Sequence, residues 1–249
     1  MSFSLKKTLH GVLGESGYGQ ARHLLYLFEV SRAVLRGQTH RCNICGYEGR
    51  FRTFGHPPRY GSQCPRCLSL ERHRLLKLWI DRNQERFAGK SLLHFAPEAS
   101  VQRFLRPMVA RYSSADLNPA HATLVLDIEK IALPDESYDI VVASHVLEHV
   151  DDKRALAEVR RILRPGGFAI IMVPIVEGWD ETYENASIVE TRDRIAHFGQ
   201  WDHVRFYGRD LRDRINAAGF RVEEVTAVEP DVQTFGLGRG EKIFVSYKD

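Results

Sequence analysis

The chain has 249 residues, 43% of them apolar and 10% aromatic, enough for one domain of about 160 residues beside a smaller module and too rich in core formers for a disordered chain. Its net charge of +3 conceals a division: residues 1–88 hold 15 Lys and Arg against 6 Asp and Glu, whereas residues 89–249 hold 20 against 26, so the front carries +9 and the back −6. The longest apolar runs, within Asp139–Ala143 and Phe168–Pro174, fall far short of the ~20 residues of a membrane span, and no signal-like stretch follows Lys6 and Lys7, so a cytoplasmic protein without a membrane span is expected.

The first segment, residues 1–37, is expected to be helical, because Gln20–Leu35 carries a broad apolar stripe of Leu24, Leu25, Leu27, Phe28, Val30, Val34 and Leu35. It reads as packing surface. Arg22, Arg32 and Arg36 flank the stripe and leave attachment to a membrane surface as the alternative.

Residues 38–70 contain every cysteine in the chain, as Cys42-Asn-Ile-Cys45 and Cys64-Pro-Arg-Cys67, two C-x-x-C knuckles separated by 18 residues. This is zinc-ribbon spacing: each two-residue gap lets both sulfurs face one ion, and two knuckles complete a tetrahedron of soft ligands. Two disulfides are the alternative, disfavoured in a reducing compartment. With four protein ligands no position is left for water, so the ion is expected to be structural, and His40 and His56 have no coordinating role. Four thiolates on one zinc leave the front at about +7, still a basic face suited to an anionic partner. Between the knuckles, Tyr47–Phe54 reads as a hairpin-like strand and His56–Gly61 as a turn.

A helix is expected over Leu68–Phe87, from Leu70, Leu75, Leu78, Trp79 and Ile80, and residues 71–89 would link the ribbon to a domain spanning 90–249. There, short apolar strands alternate with helices, the pattern of a doubly wound α/β sheet. Strands are expected at Ser91–Phe95, Tyr112–Ala115, Thr123–Asp127, Asp139–Ser144 and Phe168–Pro174, and helices at Ala99–Met108, from Val146 to Leu163, and at Gly208–Ala218. Arg164-Pro-Gly-Gly167 should end the second helix. Residues 176–204 read as a lid or substrate loop, and Arg221–Ala227 with Glu241–Tyr247 as a terminal antiparallel hairpin.

The stretch Leu133-Pro-Asp-Glu-Ser-Tyr-Asp-Ile-Val-Val-Ala-Ser-His-Val-Leu-Glu-His-Val150, followed by Leu163-Arg-Pro-Gly-Gly-Phe168, resembles the class I S-adenosylmethionine-dependent methyltransferases, in the group called type 11 or ubiquinone-biosynthesis-like. The likeness covers about residues 90–249. It implies a Rossmann-like seven-stranded sheet with S-adenosyl-L-methionine lying across the strand ends where the order reverses. In that arrangement Asp116 would accept from the ribose hydroxyls, Asp127 from the adenine amino group, Ile128 would pack on the ring, and Ser144 would meet the methionine portion through its backbone. The sequence departs from the family at the first loop, where His94-Phe-Ala-Pro-Glu-Ala-Ser100 has no glycine. S-adenosylmethionine has no pyrophosphate demanding close backbone approach, so Ala96 suffices, and Glu98, or a water held by His94, is expected to face the cofactor's ammonium.

Methyl transfer needs alignment more than acid-base help, but an oxygen acceptor must lose a proton, and His145 and His203 are the candidate bases. A further reading takes His145, Glu148 and His149 as ligands of a divalent ion such as Mg2+, because they resemble the Glu-x-x-Glu-His cluster of ubiquinone-pathway and small-RNA methyltransferases. Positions i, i+3 and i+4 share a helical face, with His203 or His197 completing the set. Three functions stay open. One is O- or N-methylation of a small polar or sugar-like metabolite in a pocket formed by Trp179, Tyr183, Phe198 and Trp201. Another is RNA or ribosome methylation, with Arg50, Arg52, Arg59 and Arg66, interleaved with Phe51, Phe54 and Tyr60, on phosphates. The third is a non-catalytic binding module, to which the missing glycines point.

Overall fold

The computed structural model describes residues 38–55 and 58–249, and of the first 37 only Leu24, which is helical. The remainder of the expected N-terminal helix lies outside the described residues, as do His56 and Pro57.

Four short strands, β1 (Thr39–Arg41), β2 (Glu48–Arg50), β3 (Arg52–Phe54) and β4 (Arg59–Gln63), form two antiparallel pairs around the knuckles. The single strand expected over Tyr47–Phe54 is thus divided at Phe51, whose ring turns inward beside Cys42 and Cys64. The knuckles repeat one backbone turn. Gly46 N–H donates to Cys42 O (2.8 Å) and Leu68 N–H to Cys64 O (2.9 Å), and Gly46 and Leu68 both sit at positive φ, +72° and +61°.

The remaining strands are β5 (Ser91–Phe95), β6 (Arg111–Asp116), β7 (Leu124–Val125), β8 (Tyr138–Ser144), β9 (Leu163–Met172), β10 (Tyr183–Glu184), β11 (Arg205–Phe206), β12 (Arg221–Thr226) and β13 (Lys242–Tyr247). Seven of them form one sheet in the order β12-β13-β9-β8-β5-β6-β7, parallel except for β13, which runs antiparallel to both β9 and β12. This is the Rossmann-like sheet with a terminal antiparallel hairpin that the sequence implied. The order reverses at β5, which pairs with both β6 and β8, so a crevice forms at the carboxyl ends of these strands.

Strand residues alternate between two cores. Leu92, Ile140, Val142, Ile170 and Met172 face one side, and Leu93, Val141, Ala143, Ala169 and Ile171 the other. Both faces being covered, these strands read as continuous apolar runs. Helix Glu71–Asp81 packs Leu75, Leu76, Trp79 and Ile80 on the first face with helix Ala99–Leu105, so the expected linker is one wall of the domain itself. Helices Asp152–Ile162 and Leu211–Ala217 cover the second face.

Two expected boundaries change. The helix anticipated from Val146 begins only at Asp152; before it lies a single 3-10 turn, Leu147–His149. Asp151 forces the break by capping the helix, accepting from the N–H groups of Lys153 and Arg154. Arg164-Pro-Gly-Gly167 lies within β9 and does not form a terminating loop. A Cβ on Gly167 would lie 2.6 Å from the Asp139 carbonyl oxygen, so glycine is needed there for close approach of neighbouring strands. The lid region also gains structure: helix Thr191–Phe198 and the pair β10-β11. Among the described residues no helix is long and apolar enough to cross a membrane.

Candidate functional site

A cavity of about 450 Å³ opens at the carboxyl ends of β5, β6, β7 and β8, bordered by Ala96, Asp116, Asp127, Ile128 and His145. Four expected cofactor residues and one expected base therefore meet there. Asp116 Oδ1 accepts from Asn118 N–H and Asp127 Oδ1 from Glu129 N–H, both at 2.8 Å. Each local turn orients its carboxylate, and among the described residues no hydrogen bond reaches either Oδ2. Ile128, 4% exposed, supplies an apolar wall between them.

Ala96 and His145 follow the ends of adjacent parallel strands, and both have left-handed backbone, φ +45° and +55°. Such conformations cost about 1–3 kcal/mol in residues other than glycine and persist where surroundings fix them. Ala96 N–H donates to Ala115 O (2.9 Å) and His145 N–H to Met172 O (2.7 Å), anchoring each turn to a neighbouring strand.

Three expected residues lie elsewhere. Ser144 is buried at the end of β8 and does not border the cavity. His94 is fully buried, its Nδ1 2.9 Å from the Tyr112 hydroxyl, and burial lowers its pKa to about 4. Glu98 is turned toward helix Glu71–Asp81, with Oε1 2.5 Å from Arg72 Nη2 and Oε2 2.7 Å from His73 Nε2. Burial alone would raise the Glu98 pKa, but the close approach of His73 and the charge of Arg72 outweigh it and hold the carboxyl at about 2. Neither group faces the cavity as the sequence reading anticipated.

The 3-10 turn carries the remaining candidate groups. Arg205 and Tyr207 fix it from the returning lid segment, Arg205 Nη1 donating to Leu147 O (2.8 Å) and the Tyr207 hydroxyl lying 3.1 Å from both Leu147 O and Asp152 Oδ2, which share its one hydrogen. Val204 N–H donates to Glu148 O, which sets His203 edge-on to His149 at 4.7 Å between ring centres. One ligand atom each from Glu148, His149 and His203 lies within 4.8 Å of the others, and Glu148 Oε2 and His203 Nδ1 are buried without partners. These three fit a small divalent ion. His145 is not of the group: its Nδ1 lies 3.1 Å from Glu148 Oε1, and the 3-10 turn removes the helical face on which His145, Glu148 and His149 were expected to converge. Burial lowers the His203 pKa against the opposing charge of Glu148.

A second cavity, of about 600 Å³, adjoins the first through His149, Val150 and Arg194. Its charged walls are largely paired, with Arg214 holding Asp152 (3.0 Å) and Glu184 (2.9 Å) and Arg205 holding Glu184 (2.9 Å). The aromatics expected to form an acceptor pocket do not border either cavity: Tyr183 packs edge-on to Trp179 and tilted against Phe198, and Trp201 is 63% exposed. The sequence reading missed Arg194, which looks like one of several helix-surface charges in Thr191-Arg-Asp-Arg194.

In the ribbon the four sulfurs lie within 4.8 Å of one another, with Cys42 to Cys67 at 3.5 Å and Cys45 to Cys64 at 3.6 Å. These separations are far beyond a disulfide bond of about 2.05 Å and suit one tetrahedral ion about 2.3 Å from each sulfur. The cluster thus fits structural zinc.

Residues 100–171 match the family model described as a methyltransferase domain. Malonyl-[acyl-carrier protein] O-methyltransferase of Serratia marcescens is 32% identical over 120 residues, 46% of this chain and 44% of that protein. The first three curated relatives are matched over 44%, 40% and 39% of their own length. Among solved structures, a chain of the complex between the Haloferax volcanii Trm112 methyltransferase activator and a methyltransferase aligns with TM-score 0.53 at 18% identity, covering 71% of this chain and 90% of that one. The [4+2]-cyclase SpnF aligns with TM-score 0.51 at 16% identity over 65% and 63%. At these identities the structural likeness shows the fold alone.

Proposed function

We propose that this chain, whose residues 100–171 match a methyltransferase-domain model, is an S-adenosylmethionine-dependent methyltransferase acting on an oxygen or nitrogen of a small polar or sugar-like metabolite. The observation that carries the proposal is the meeting of Ala96, Asp116, Asp127, Ile128 and His145 at one cavity on the switch point of the sheet.

In this reading Asp116 and Asp127 hold the ribose and adenine, and Ile128 covers the ring. When bound, the cofactor supplies a methyl group on a sulfonium, and the protein's task is alignment of an in-line displacement. The adjoining 600 Å³ cavity, walled by paired charges, suits a polar acceptor. His145 at the cavity wall, or His203 behind His149, takes the acceptor's proton.

A second reading, RNA methylation, draws on Phe54 and Tyr60, which are 42% and 78% exposed beside exposed Arg50 and Arg52, while Phe51 belongs to the ribbon's core. A third reading, a non-catalytic binding module, draws on the glycine-free loop His94–Ser100. Incubation with methyl-labelled cofactor and separated cell fractions distinguishes them. Label in the small-molecule fraction supports the proposal, label in RNA the second reading, and cofactor binding without label in either fraction the third.

A further inference from the structure

Three consecutive residues of helix Glu71–Asp81 reach in opposite directions. Arg74, fully buried, donates to Ser69 O (2.7 Å) and Ser62 O (2.8 Å) of the ribbon and to Phe235 O (2.7 Å) and Gly236 O (2.6 Å) of the C-terminal segment. Ser69 Oγ in turn lies 3.4 Å from Cys42 Sγ and 3.2 Å from Cys67 Sγ. Arg72 and His73 turn the other way, to Glu98. The His73 ring has its proton placed: Nδ1 accepts from Leu70 N–H (3.1 Å) and lies 2.8 Å from Ser100 Oγ, so Nε2 carries the hydrogen and approaches Glu98 Oε2 at 2.7 Å without aligned hydrogen-bond geometry.

Glu98 stands at the N-cap of helix Ala99–Leu105 but makes no capping bond, both its oxygens being held by the other helix. Two residues earlier Ala96 turns through a left-handed conformation, φ +45°. An L-residue keeps such a backbone only when its surroundings enforce it. The parallel strand β6 fixes one side of the turn, through Ala115 O, and on the other side Glu98 is held by Arg72 and His73.

We propose that Arg72 and His73 clamp Glu98, and through it the glycine-free loop Ala96–Glu98, in the conformation that receives the cofactor, so that helix Glu71–Asp81 is a structural part of the cofactor site. Glu98 is then a positioning residue and touches no ligand. The inference rests on the reading of the 450 Å³ cavity as the S-adenosylmethionine site.

The test compares S-adenosylhomocysteine with 5′-methylthioadenosine, which lacks the amino-acid portion, by calorimetric titration of the full chain and its Arg72→Gln, Glu98→Gln and double variants. Zinc content and melting temperature are checked in parallel. A clamp predicts that each single variant weakens both ligands alike, by roughly tenfold, and that the double variant is no weaker than the worse single one. Should Glu98→Gln fail to fold, Arg72→Gln, altered at a partly exposed side chain, carries the same comparison. Wild-type affinity for both ligands in Arg72→Gln overturns the clamp alone. So does a loss in Glu98→Gln confined to S-adenosylhomocysteine, which would place Glu98 on the ammonium. Failure of the unaltered chain to bind either ligand overturns the cofactor reading, and the clamp with it.

Discussion

Ala96 and His145 occupy equivalent places on neighbouring strands, each the first residue beyond the carboxyl end, at φ +45° and +55°. The pair borders the crevice at the carboxyl ends of β5 and β8. Replacing Ala96 by glycine should relieve backbone strain and add unfolded-state entropy in similar measure, leaving stability within about 1 kcal/mol. Ala96→Val places a β-branched side chain in the same left-handed turn and should destabilise by about 2 kcal/mol or more while narrowing the cavity. Thermal unfolding of both variants checks this; equal stability of the two would show that the turn is not enforced.

Elemental analysis should find one zinc per chain. Metal-binding free energy of about 10 kcal/mol in such sites is folding free energy, so Cys64→Ser should lose the ion and lower the melting temperature. Because Arg74 ties the ribbon to the Phe235–Gly236 segment, that loss should extend to protection of the C-terminal segment in hydrogen exchange. Zinc-free protein with Cys42 and Cys45 in disulfides would contradict the assignment.

The Glu148, His149 and His203 group either works as bare side chains or holds a divalent ion. The metal-free arrangement predicts that methyl transfer in cell extract is insensitive to a chelator too mild to remove the buried zinc. It also predicts that, if His203 is the base, His203→Ala slows transfer by about 10²–10⁴-fold. Activity lost on chelation and restored by magnesium or manganese would assign the ion to this group.

His94 gives the fold an acid limit. Buried as the neutral ring, with its pKa lowered from 6.5 to about 4, it stabilises the fold fully above pH 6.5 and progressively less as pH falls toward 4. Protonation would place an N–H at Nε2, which has no partner in the core. The stability difference between the unaltered protein and His94→Leu should therefore shrink by about 3 kcal/mol between pH 7 and pH 4. A difference independent of pH, from the unpaired Tyr112 hydroxyl alone, would refute the titration.

Much of this was legible in the residues because β5 and β8 are buried on both faces and announce themselves as apolar runs, which brings Asp116, Asp127 and His145 to one edge of the sheet. The 3-10 turn was hidden because Val146, Leu147 and Val150 continue the helical periodicity of the helix that follows; the capping Asp151 was the available signal. Glu98 misled for a different reason. Its place in the first turn of a strand-helix loop suggests a ligand, and nothing local reveals that Arg72 and His73, 26 and 25 residues earlier, reach it from the adjacent helix.

Calorimetric titration with S-adenosylhomocysteine addresses the cofactor site itself. The chain should bind one equivalent, and Asp116→Ala and Asp127→Ala should each weaken binding by about 1–3 kcal/mol with melting temperatures preserved. No binding by the unaltered protein, or unchanged affinity in both variants, would contradict the assignment of the crevice to S-adenosylmethionine.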